Sequence, residues 1–84
     1  MESGKTEIYK DAFPIVLKSH RKLAKLTQEQ LAEKANIAVR FVQHLEAGKY
    51  QPSISTFCEL AYALNTSPDK FMLELVKALP NDTS

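Results

Sequence analysis

The stretch Leu26-Thr27-Gln28-Glu29-Gln30-Leu31 constrains this chain more than any other. Thr27 and Gln30 stand three residues apart and form a capping box. The threonine hydroxyl accepts from the Gln30 amide, and the glutamine side chain reaches back to the cap. Leu26 before the cap and Leu31 beyond it are spaced to close a hydrophobic staple. A helix must therefore start at Gln28, turning Leu31, Ala32 and Ala35 inward. Asn36 ends it, because asparagine is the best non-glycine residue for a left-handed exit. After the short turn Asn36-Ile37-Ala38, a second helix starts near Val39, buries Val42 and Leu45, and stops at Gly48. Ala38 is a poor N-cap, so this start is less firmly fixed. Two short helices joined by a three-residue turn have the geometry of a helix-turn-helix. Ala32 must be small where the helices cross, and Ile37, Val42 and Leu45 lock their angle.

Around this pair the sequence predicts three more helices. Asp11 caps the first, and Pro14 is tolerable in its opening turn. Phe13, Val16, Leu17, His20, Leu23 and Ala24 then recur at helical spacing to about Lys25, whereas residues 1–10 show no clear period and read as a flexible arm. Ser53 or Ser55 caps a fourth helix with Ile54, Phe57, Leu60, Ala61 and Leu64 inward, ended by Asn65. Ser67-Pro68-Asp69 starts a fifth, which carries Phe71, Met72, Leu75, Val76 and Leu79 before Pro80 breaks it. The expectation is one all-α, five-helix domain over residues 11–79, with a short tail at 80–84. There is no strand signal and no internal repeat.

Composition narrows the function. Eighty-four residues make a thin core, so assembly with a second copy is a natural way to bury more apolar area. An enzyme with its own substrate cavity is not expected. The two histidines lie on different helices with no acidic partner at ligand spacing, so no catalytic, metal or cofactor site is expected. A single cysteine, Cys58, rules out an internal disulfide and suits a reducing cytoplasm. No apolar run approaches the roughly 20 residues of a membrane span, and the first residues lack the apolar core of a secretory signal.

The run from Thr27 to Ile37, followed by Leu45-Glu46-Ala47-Gly48-Lys49, Pro52-Ser53-Ile54 and Leu60-Ala61-Tyr62-Ala63-Leu64, resembles the phage repressor/Cro family of helix-turn-helix regulators. The resemblance covers about residues 13–76 and extends in size to restriction–modification controller proteins. It implies a five-helix repressor-like bundle whose third helix enters the major groove of DNA, in many members as a dimer. On this resemblance Val39, Arg40, Gln43 and His44 face the bases. Thr27 and Gln28 at one helix start, and Lys49 after the third helix, hold phosphates; a helix N-terminus independently favours anions. Arg21 and Glu46 match an ion pair that ties the first helix to the third. The sequence departs from the family pattern at four positions. Lys25 and Asn36 stand where glycine is usual, Ala38 where Ser or Thr is usual, and Ala47 where Arg or Asn is frequent.

Net charge is only +1, too little to announce a nucleic-acid binder by itself. Its distribution says more: residues 1–50 carry nine Lys/Arg against six Asp/Glu, and residues 51–84 carry two against four. This split suits a domain that presents one face to phosphates. The leading expectation is a sequence-specific double-stranded DNA-binding regulator, a repressor or autoregulator, acting as a homodimer on a palindromic operator. Phe71, Met72, Leu75, Val76 and Leu79 are the expected dimer interface, since they exceed what a terminal helix needs to cover one side of a small bundle. The alternative is a protein-interaction module of the same fold, such as an antitoxin or bridging factor, acting through a protein partner.

Overall fold

The computed structural model describes residues 3–80, with side chains from residue 8 onward, and residues 1, 2 and 81–84 lie outside it. Five helices follow in order: α1 (Ser3–Leu23), α2 (Gln28–Ala35), α3 (Val39–Glu46), α4 (Ile54–Ala63) and α5 (Pro68–Lys77). No strand occurs among the described residues.

The first helix corrects the reading of the N-terminus. α1 starts at Ser3, not at Asp11, so residues 3–10 are helical rather than a loose arm. The stripe that the sequence shows from Phe13 onward continues backward through Ala12, which is buried, to Ile8, which is half-buried. Pro14 consequently lies inside the helix instead of in its first turn. It removes one backbone hydrogen bond there, a cost of about 3 kcal/mol in a helix interior. Leu23 is also reassigned: it is 74% exposed at the helix end.

Leu17, Leu31, Val42, Leu45, Leu60 and Ala61 form the sealed centre of the core, each without measurable exposure. α2 packs on α3 and α4, while α1 packs on α3 and α5. Phe13, Phe57 and Phe71 join α1, α4 and α5, with the Phe57 and Phe71 rings stacked at 4.9 Å between centroids. His20 meets Phe71 edge-on at 5.8 Å, with Nε2 3.8 Å from Glu74, and so has a structural place between α1 and α5. Ile54, expected inward, is 84% exposed at the first position of α4, one turn before Phe57 enters the core.

The helix starts follow the sequence closely. Thr27 Oγ1 accepts from the Gln30 amide at 3.0 Å, and the Thr27 amide donates to Gln30 Oε1 at 2.8 Å. Ser53, not Ser55, caps α4 by accepting from the Thr56 amide at 3.1 Å. In the first turn of α5, a hydrogen bond from Ser67 holds the Asp69 carboxyl below the usual carboxylate range. Ala38 gives α3 no side-chain cap.

Four helices end by one device. A single residue adopts positive φ: Lys25 at 61°, Asn36 at 60°, Gly48 at 77° and Asn65 at 63°. After α3 the Gly48 amide returns to Leu45 O at 3.2 Å and the Lys49 amide to His44 O at 2.9 Å, the paired bonds of a Schellman closure. The same pairing recurs after α1, from Lys25 to Lys22 and from Leu26 to Arg21, and after α4, from Asn65 to Tyr62 and from Thr66 to Ala61. Only one of these four corners uses glycine.

Candidate nucleic-acid interface

A buried carboxylate organises the region around α2 and α3. Glu46 is the last residue of α3 and is 6% exposed. Arg21 Nε on α1 donates to Glu46 Oε2 at 2.6 Å, and Arg21 Nη2 donates to Oε1 at 3.1 Å. Gln28 Nε2, from the first residue of α2, donates to the same Oε1 at 2.9 Å. Arg21 Nη1 also donates to the Leu26 carbonyl at 2.8 Å, which pins the chain entering the capping box. The carboxylate thus draws donors from two helices, and no buried side-chain nitrogen or oxygen among the described residues lacks a partner. The hydrogen bond to Glu46 is the main cause that raises the Arg21 pKa above its ordinary value. An arginine in this setting stays ionised throughout the working pH range.

With α1, α2 and α3 fixed in this way, the outer side of α3 is left to solvent. Arg40 and Gln43 are exposed, and neither side chain has a hydrogen-bond or ion-pair partner among the described residues. Spacings of three and four place Arg40, Gln43 and His44 on one side of the helix. Val39 and His44 are both half-buried, and Val39 packs against the core. Thr27 and Lys49 are exposed, and Gln28 is half-buried with one amide donor committed to Glu46. The Lys49 backbone is held by the turn at Gly48, while its side chain extends into solvent.

Tyr50 belongs to this surface although no motif singles it out. It is 55% exposed, and its ring meets His44 edge-to-face at 5.1 Å and Phe41 at 6.4 Å. The available signal was the closure at Gly48, which reverses the chain and returns the residue after Lys49 toward the last turn of α3.

The residues named on α5 separate into two groups. Phe71 and Leu75 are buried in the core, at 1% and 6% exposure, and Leu79 packs against it. Phe71 and Leu75 serve the monomer and are not available to a partner, while half-buried Leu79 is partly committed to the same core. Met72 and Val76 are exposed, one helical turn apart. Met72 borders an apolar groove of about 550 Å³, which Tyr9, Ile54, Phe57 and Cys58 also line. No group of three potential metal ligands occurs among the described residues. No described helix is long and apolar enough to cross a membrane.

Comparison with known proteins agrees with this architecture. The helix-turn-helix family model HTH_3 matches residues 17–71. An immunity repressor protein of Bacillus phage phi105 is 48% identical over 48 residues, which are 57% of this chain and 33% of the repressor, so the match spans about a third of that protein. An uncharacterized HTH-type transcriptional regulator of Methanothermobacter thermautotrophicus is 36% identical over 61 residues, covering 70% of this chain and 88% of that one. Among solved structures, the restriction–modification controller protein C.Esp1396I superposes with a TM-score of 0.79 at 25% identity, over 88% of this chain and 96% of its own. The clp gene regulator ClgR of Corynebacterium glutamicum shares the fold, with a TM-score of 0.77 at 22% identity, over 86% and 92% of the two chains. The five-helix order, the capped α2, the turn at Asn36 and the family match lead to one assignment: the chain belongs to the phage repressor/Cro-type helix-turn-helix family of DNA-binding transcriptional regulators.

Proposed function

We propose that this protein is a sequence-specific double-stranded DNA-binding regulator, a repressor or autoregulator, that reads the major groove with α3. The observation that carries the reading is the pair Arg40 and Gln43, unpartnered among the described residues and outward on a helix whose opposite side is tied down through Glu46. Arginine pairs with the two major-groove acceptors of guanine, and glutamine with the donor and acceptor of adenine. His44 adds a third base-facing group, and Val39 stands at the margin of the reading surface because half of it is committed to the core. Lys49, Thr27 and the free amides opening α2 hold phosphates and set register without reading sequence. Gln28 contributes through its backbone amide more than its side chain, which Glu46 engages.

The protein acts in this reading as a homodimer on a palindromic operator, in the cytoplasm. Support for the dimer comes from the exposed apolar residues Met72, Val76 and Ile54, which border or adjoin the groove between α4 and α5. Two copies joined across that surface form an isologous pair whose reading helices meet major grooves about 34 Å apart.

Selection of bound sites from random duplex DNA, followed by affinity against salt, tests the reading. A recovered palindrome with affinity falling steeply in salt supports it. Failure to enrich any sequence, together with binding only through a protein partner, would favour an interaction module of the antitoxin or bridging-factor kind.

A further inference from the structure

We propose that Tyr50 is a positioning residue for the reading helix: its ring braces the His44 imidazole and fixes the direction in which it is presented to DNA. This rests on α3 being the reading helix.

Phe41 and His44 stand three residues apart and share one side of α3. Phe41 is half-buried and packs against the core, so it offers a fixed surface. The Schellman closure at Gly48 turns the chain back, and the Tyr50 ring comes to rest 6.4 Å from Phe41 and 5.1 Å from His44. The His44 contact has an interplanar angle of 75°, the edge-to-face arrangement that aromatic pairs prefer at this separation. A run of three rings therefore leads from the core, through Tyr50, to the outward side of α3. Tyr50 is 55% exposed, so burial of its own surface does not account for this placement.

The physical effect is preorganisation. An unbraced histidine on a helix surface samples several rotamers and must be immobilised when DNA binds. A side chain already held against the Tyr50 ring, itself backed by Phe41, avoids most of that loss, which amounts to about three- to tenfold in affinity for one side chain. The brace acts only where His44 makes its contact, so it sharpens preference at that base pair and leaves general phosphate attraction unchanged.

Two arms test the proposal on the full chain. In the free protein, the His44 ring-proton resonances are compared in Tyr50→Phe and Tyr50→Leu, with helix content and thermal stability as controls for folding. Tyr50→Leu should move them toward exposed-histidine values, while Tyr50→Phe leaves them in place. With the selected duplex, Tyr50→Leu should lose about three- to tenfold in affinity, Tyr50→Phe less than about twofold, and the Tyr50→Leu loss should vanish in a His44→Ala background. Unchanged His44 resonances in Tyr50→Leu would overturn the brace. So would an equal loss from Tyr50→Phe, which would mark the hydroxyl as a direct DNA contact, or strict additivity with His44→Ala. The resonance arm needs no DNA, so a protein with the expected resonance pattern that binds no duplex overturns the DNA reading and not the brace.

Discussion

Gln28 Nε2 lies 2.9 Å from Glu46 Oε1, and this hydrogen bond joins the first residue of α2 to the last residue of α3. It completes the set of donors that Arg21 begins, so the two helices of the helix-turn-helix are connected at both ends: by the turn at Asn36 and by a shared carboxylate. Truncating Arg21 to alanine leaves Glu46 buried with Gln28 alone. The expected loss in denaturant unfolding is about 3–5 kcal/mol, the range for breaking a buried pair. Gln28→Ala should cost less, about 1.5–3 kcal/mol for a hydrogen bond to a charged group. Losses below about 1 kcal/mol for Arg21→Ala would show that the pair behaves as an exposed one.

Lys25 ends α1 at a φ of 61°, a conformation that a residue with a Cβ occupies at a cost of about 1–2 kcal/mol. Lys25→Gly removes this strain and adds some flexibility to the unfolded chain. Stability should rise by a net amount of about 0.5–1 kcal/mol. A lower unfolding midpoint for Lys25→Gly would contradict the strain assigned here.

Ala38 already has the extended backbone of an N-cap, at φ −69° and ψ 143°, but offers no acceptor to α3. Ala38→Ser supplies the missing acceptor with no change of backbone and should stabilise the domain by about 1 kcal/mol. Thermal unfolding with unchanged or lower stability would show that the serine rotamer cannot reach the N2 or N3 amide.

Arg40→Ala and Lys49→Ala should separate reading from anchoring. Arg40→Ala is expected to reduce discrimination at one base pair by about 1–3 kcal/mol, whereas Lys49→Ala weakens all duplexes alike and flattens the salt slope by about one unit. Competition binding on single-substituted operators distinguishes the two. An equal loss on every sequence would make Arg40 a phosphate anchor.

Met72→Asp and Val76→Asp place a charge on the exposed apolar surface without touching the core. Each should shift sedimentation at micromolar concentration from dimer to monomer while helix content stays the same, and DNA affinity should fall sharply because linked half-sites bind far more tightly than single ones. Leu79→Asp is a poor probe for the same purpose, since Leu79 supports the monomer core. A wild-type chain that remains monomeric even with operator-length DNA would end the dimer proposal.

The sequence was most legible where local chemistry decides the backbone. The capping box and the left-handed exit at Asn36 depend on residues within one turn of each other, and the helix-turn-helix follows from them. α1 was harder to read because Pro14 and Asp11 resemble a helix start. What carries the helix backward to Ser3 is a weak stripe, with Ile8 and Ala12 as its only described inward positions before Phe13. On α5, periodicity identified an apolar side but could not divide it. Phe71 and Leu75 face the bundle while Met72 and Val76 lie just beyond its edge, a difference set by how far α1 and α4 reach. Tyr50 escaped notice because its neighbours, His44 and Phe41, are brought to it by a chain reversal and not by helical spacing.

The buried Glu46 carboxylate has a consequence for how this surface can change over time. Apolar packing alone is tolerant of small rolls of a helix about its own axis, and each residue step around an α-helix is about 100°. A carboxylate gripped by Arg21 on one oxygen and by Arg21 and Gln28 on the other fixes the roll angle of α3, so its phase is set by polar geometry. The residues at 40, 43 and 44 can then be exchanged for others without altering which three positions point outward. The lettering on the helix is free to drift while the page is held at a constant angle.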